Sequence, residues 1–181
     1  MPALLGLLIA LAPPARAGEC GGATPDYSAE RAVTVAGRTE QVVVYVAGNI
    51  IREETVANGR PRVTIREKHV HRLVVFDPDA RQGMELALPL SPKTRPATRV
   101  IDEEGPNGTR VRVEQFDREG AWIDFSRTTC RADGIMIRQT FVSLDPQGRE
   151  VRGTVTQDRI KVGSLPSALF QVPADVQIVR R

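Results

Sequence analysis

TEQVVVYVAGNIIREETVANGRPRVTIRE, residues 39–67, carries three apolar runs separated by two turn signals. In the last run Val63 and Ile65 alternate with Thr64 and Arg66, the period-2 pattern of a strand with one apolar face. Asn58-Gly59 suits a tight hairpin turn because both residues accept positive φ. Gly48-Asn49 marks a similar break ten residues earlier. The stretch therefore reads as consecutive antiparallel strands.

The same punctuation recurs on either side. Asp77-Pro78, Pro106-Asn107-Gly108, Asp133-Gly134 and Asp145-Pro146-Gln147-Gly148 separate short runs rich in Val, Ile and Thr. Ala32 to Ala36 leads into Thr39 to Ala47. Val74 and its neighbours from Leu73 to Phe76 form an unbroken apolar run, as in a strand buried on both faces. Met84, Leu86 and Leu88 alternate with Glu85 and Ala87. Val111 and Val113 alternate with Arg110, Arg112 and Glu114. Trp122 to Phe125, Ile135 to Leu144 and Val151 to Val162 continue the series. No window of eleven residues carries a 3.6-residue period, and the best place for a short helix is Ser164 to Phe170. Ser91 to Thr98, with two prolines, reads as a loop. The expected fold class is mainly β: about ten strands in a strongly curved antiparallel meander with one or two short helices. A sheet of so many strands has to curl.

Composition limits function. The chain is 41% hydrophobic but only 4% aromatic, so the core rests on Val, Ile and Leu. The net charge of +3 comes from arginines spread along the chain. A nucleic-acid groove needs clustered cations and stacking aromatics, so no nucleic-acid partner is expected. A transmembrane barrel needs aromatic girdles and an apolar outer band, and neither is present.

Met1 to Ala12 is apolar, and Ala15-Arg16-Ala17 is a small-x-small triplet. Residues 1–17 read as a cleaved signal peptide, although no Lys or Arg lies near Met1. The run is too short to span a bilayer. Residues 18–181 read as one domain, periplasmic or secreted. Cys20 and Cys130, an even count in an exported chain, suggest one disulfide. Glu19 stands where a lipobox needs a small residue, which argues against a lipid anchor at Cys20.

Catalytic patterns are absent. His69 and His71 on one strand face would make half a metal site, with no third ligand nearby in sequence. Glu53-Glu54 and Asp102-Glu103-Glu104 read as solvated acids beside turns, and adjacent acids on a strand point to opposite faces. No serine has a nucleophile-elbow setting, and no glycine loop cradles phosphate. Neither an enzyme nor a cofactor is expected. Asn107-Gly108-Thr109 matches a glycosylation sequon but reads as a turn.

Five segments in order then carry a resemblance: Tyr27-Ser28-Ala29-Glu30, Tyr45 to Arg52, Leu73 to Asp79, Met84-Glu85-Leu86, and Leu165-Pro166-Ser167-Ala168-Leu169-Phe170-Gln171-Val172-Pro173-Ala174. Over residues 27–175 the chain resembles the small periplasmic proteins of the LolA-like fold, which include lipoprotein carriers and envelope-stress sensors. The resemblance implies an unclosed, curved antiparallel sheet whose apolar concavity takes acyl chains in the better-known members. The chain departs from the carriers in having little helix and in its cysteine pair.

The expected function is non-enzymatic binding of an apolar ligand, a lipid or an acylated protein. The expected lining is Val44, Val63, Ile65, Leu73, Val75, Met84, Leu86, Trp122, Ile135, Ile137 and Phe141. The alternative for these residues is a closed core, in an envelope module that meets a protein partner through an edge or outer face.

Overall fold

The computed structural model describes residues 20, 24–67, 70–87, 98–144 and 147–180. The leader, His69 and most of the proline-rich loop at 91–98 lie outside them. Among the described residues twelve strands form one unclosed, curved sheet, a little more than the ten or so expected.

The first meander comprises β1 (Tyr27–Val35), β2 (Arg38–Ala47), β3 (Ile50–Ala57), β4 (Arg60–Glu67), β5 (Arg72–Asp77) and β6 (Gln82–Ala87). The second comprises β7 (Thr98–Glu104), β8 (Arg110–Arg118), β9 (Ala121–Cys130), β10 (Met136–Leu144) and β11 (Glu150–Val162). Strand β12 (Gln177–Arg180) follows a 3-10 turn at Ser167–Phe170. The order is β12-β6-β5-β4-β3-β2-β1-β11-β10-β9-β8-β7. The two meanders are thus joined by antiparallel pairing of β1 with β11, while β12 adds parallel to β6.

Turn chemistry sets the register. Asn58 and Gly59 take φ of 55° and 75°, as a primed hairpin turn requires. Ala36-Gly37 and Glu119-Gly120 adopt the same geometry. Asp77 Oδ1 accepts from the amides of Asp79 and Ala80, closing the β5–β6 turn. Asn107-Gly108-Thr109 is indeed a turn: Thr109 N donates to Pro106 O, and Asn107 has φ of 57°.

Pairing assigns the faces. Tyr27 and Ala29 on β1 share one face with Val44 and Val46 on β2, Ile51 and Glu53 on β3, and Thr64 and Arg66 on β4. On β5 and β6 that face carries Leu73, Val75, Met84 and Leu86. On β11, β10 and β9 it carries Val155, Gln139, Phe141 and Thr128. Ile135, from the β9–β10 connection, joins the apolar cluster of Tyr27, Ala29, Val44, Val46 and Ile51. That cluster gathers residues of β1, β2, β3 and the β9–β10 connection, so this is the face around which the sheet curls.

The opposite face is covered at one end by the chain's own C-terminus. Val63, Ile65, Val74 and Phe76 are buried beneath Val172, Val176 and Ile178. Arg52 Nη1 donates to Leu169 O at 2.8 Å and ties this strap down. The segment Leu169 to Pro173 therefore has a packing role. Leu73 and Val74 are both buried, one on each face, as the unbroken apolar run of β5 leads one to expect.

Candidate functional site

The concave face has two unlike halves. Under β1 and β9–β11 it is filled. Cys20 is bonded to Cys130 with Cα atoms 6.2 Å apart, and the pair packs with Met136, Phe141 and Val155. The Phe141 ring lies against Gly153, where a side chain would collide with it. Ile135 is fully buried.

A polar row crosses this filled half. Arg31, 4% exposed, donates to Glu53 Oε1 at 2.7 Å and to Gln157 Oε1 at 3.1 Å and 3.3 Å. Gln157 Nε2 donates to Met136 O at 2.9 Å, and Gln139 Nε2 to Thr128 Oγ1 at 3.1 Å. Burying these groups is tolerable because each finds at least one partner, although Gln139 Oε1 has none among the described residues. Glu53-Glu54 therefore does not form a solvated turn: both acids lie within β3, Glu53 beside Arg31 and Glu54 on the other face beside Arg52. Arg66 in this row is a second case. Its Nε is buried without a hydrogen-bond partner among the described residues. Burial pushes its guanidinium below its ordinary pKa, with Arg31 reinforcing and Glu53 opposing.

At the end of β3–β6 that carries the β3–β4 and β5–β6 turns the face is open. A cavity of about 580 Å³ lies there, lined by Ala57, Asn58, Arg60, Pro61, Arg62, Val75, Phe76, Asp77, Gln82, Gly83 and Met84. This volume falls within the range of small-molecule sites. By register Arg62, Val75, Asp77, Gln82 and Met84 present side chains to the concave side. Leu73 pairs with Leu86 farther along β5 and β6, beyond the cavity, where Leu73 is buried. Met84 is 39% exposed although apolar, as a floor residue of an unfilled hollow is.

The expected lining residues are thus divided. Val75 and Met84 line the cavity, while Leu73 and Leu86 share their face but lie outside the lining. Val44, Ile135 and Phe141 sit in the filled half. Val63 and Ile65 stand on the opposite face, under the C-terminal strap. Trp122, with Arg99 4.4 Å over its ring, lies far off on β9, and Ile137 occupies a bulge. Sequence reasoning missed Arg60, Arg62, Asp77 and Gln82. The signal for the arginines was the alternation in β4, where Arg60, Arg62 and Arg66 share a parity opposite to Val63 and Ile65.

His71 lies exposed in the β4–β5 turn with φ of 52°. Among the described residues no three of His, Cys, Asp and Glu come together as a metal site. No described helix is long and apolar enough to cross a membrane.

No protein-family model and no curated protein matches the chain. Solved structures do. An uncharacterised conserved protein from Thermus thermophilus is similar at 18% identity and a TM-score of 0.53, over 87% of this chain and 91% of that one. A LolA superfamily protein from Nitrosomonas europaea is similar at 13% identity and a TM-score of 0.44, over 86% and 94%. A putative outer-membrane lipoprotein-sorting protein domain from Vibrio parahaemolyticus is similar at 9% identity and 0.41, over 84% and 92%. At such identities the likeness is one of fold.

Proposed function

We propose that this chain is a non-enzymatic binding protein of the periplasm, made with residues 1–17 as a cleaved signal peptide, that holds an apolar ligand on the open half of its concave face. The ligand is a lipid or the acyl part of an acylated protein. The observation that carries this reading is the cavity of about 580 Å³ over Val75 and Met84. Each methylene buried there contributes about 0.8 kcal/mol, so a medium-length acyl chain binds usefully even when it is only partly covered. The disulfide supports an oxidising compartment. The resemblance read from the sequence supports the same class of ligand. The filled half sets a limit: Val44, Ile135 and Phe141 hold the sheet's shape, and the ligand lies on β4–β6.

The test is native mass spectrometry of the purified chain without residues 1–17, followed by titration with a fluorescent fatty acid. Co-purified adducts or saturable uptake are expected, and Val75→Arg, which puts a charge on the floor, should abolish uptake. A clean apo mass with no uptake would overturn the proposal.

A further inference from the structure

Arginines elsewhere in the fold are mostly neutralised. Arg52 pairs with Glu54, Arg72 with Glu67 and Glu85, and Arg159 with Glu30. Arg127 pairs with Glu103, and Arg118 with Glu150. Among the described residues Arg60 and Arg62 have no such ion pair, yet both line the cavity. Their cross-strand neighbours on β3 are Ala57 and Thr55, which carry no charge. Three carboxylates share this face nearby, and all are engaged: Glu53 on β3 pairs with Arg31. Asp77, also in the lining, accepts the amides of Asp79 and Ala80 on Oδ1. Glu40, two strands away on β2, accepts the Thr55 hydroxyl at 2.6 Å. The cavity thus sets two guanidinium groups and one carboxylate beside an apolar floor.

We propose that the cavity selects amphiphiles with an anionic headgroup, a carboxylate or a phosphate monoester, seated on Arg60 and Arg62 with the chain along Val75 and Met84. This rests on the binding function proposed above and names the class of ligand. The planar fork of arginine matches both anions through paired N–H donors. Adjacent apolar surface lowers the local dielectric and strengthens the contact relative to one in water. Arg60 and Arg62 lie two residues apart on one strand, roughly 7 Å along it, so one headgroup can reach both flexible side chains. An uncharged amphiphile keeps the floor contacts and loses the head contacts.

The probes are laurate, dodecyl phosphate, monolaurin, dodecyltrimethylammonium and inorganic phosphate alone, each titrated calorimetrically against the chain without residues 1–17. Laurate and dodecyl phosphate should bind at least about ten-fold more tightly than monolaurin and the cation. Inorganic phosphate alone should bind far more weakly than dodecyl phosphate. The double variant Arg60→Gln, Arg62→Gln should lose about ten-fold or more for the two anions while binding monolaurin unchanged, and Arg60→Lys, Arg62→Lys should recover part of the loss. The monolaurin control in the double variant reports that the cavity is still formed. If monolaurin matches laurate, or the preference survives in the double variant, headgroup selection is overturned while the apolar-ligand reading stands. If inorganic phosphate matches dodecyl phosphate, the site is one for a free anion and the proposal fails. If no chain-bearing probe binds, the proposed function falls with it.

Discussion

Arg31 Nη1 reaches Glu53 Oε1 at 2.7 Å across the whole width of the intervening strand β2. The span is possible because the β2 residues on that face, Val42 and Val44, have short side chains, and because the sheet curls toward that side. Arg31 is all but buried, whereas Glu53 keeps some contact with water. Replacing Glu53 by Gln leaves a buried cation close to a second one, Arg66. We expect Glu53→Gln to lose about 3 kcal/mol, at the lower end of the cost of breaking a buried pair. Urea denaturation measures it, and a change under about 1 kcal/mol would show that water already neutralises Arg31.

The bond between Cys20 and Cys130 closes a loop with a sequence separation of 110. In the chain-entropy account its removal costs up to about 4–5 kcal/mol. The double variant Cys20→Ala, Cys130→Ala should unfold at markedly lower urea, and thiol titration of the denatured native protein should find no free thiol before reduction.

Gly153 lies beneath the Phe141 ring, and a methyl group there would sit inside it. Gly153→Ala should destabilise by about 1–3 kcal/mol through overpacking. Phe141→Leu combined with Gly153→Ala should recover part of that loss, which separates the clash from an effect on the strand itself.

The carboxyl of Glu85 is held below its ordinary pKa, chiefly by its hydrogen bond from Arg72 and further by Arg180. A depressed carboxylate stabilises the fold above its unfolded pKa, about 4.3, and that contribution disappears as pH falls through the lower folded value. Native protein should therefore exceed Glu85→Gln in stability near pH 6 by more than it does at a pH well below the unfolded value. Equal differences at both pH values would mean that the substitution costs packing and not charge.

Much of the fold was legible because turn residues carry their own geometry. Asn58-Gly59 and Asn107-Gly108 announce positive φ. Glu119-Gly120 does not advertise itself as well, since Glu seldom takes a φ of 56° and only the flanking strands impose it. Strand β12 escaped notice for another reason. It has four residues, and its parallel pairing with β6 is a long-range event that no local pattern encodes. The acids 102–104 read as a turn because three charges in a row look solvated. They lie in β7, where Asp102 pairs with Arg112 and Glu103 with Arg127.

The candidate site was harder to read. Apolar alternation names residues that avoid water, but not which of the two faces a neighbour will cover. Val63 and Val75 look alike in sequence. One is buried by the C-terminal strap and the other borders the cavity, and that difference is made by residues about a hundred positions away. The arginines of β4 were readable as a column, yet their meaning depended on which carboxylates the fold would leave out of reach.

Strand β1 meets β2 through a two-residue turn, but its other edge waits for β11, where Tyr27 pairs with Val162. The weld between the two meanders thus cannot form until nearly all of the sequence is present. Closing so long a loop is entropically slow, and such topologies fold in milliseconds to seconds rather than microseconds. A chain emerging from its amino end therefore leaves the free edge of β1 bare until its last long strand has arrived.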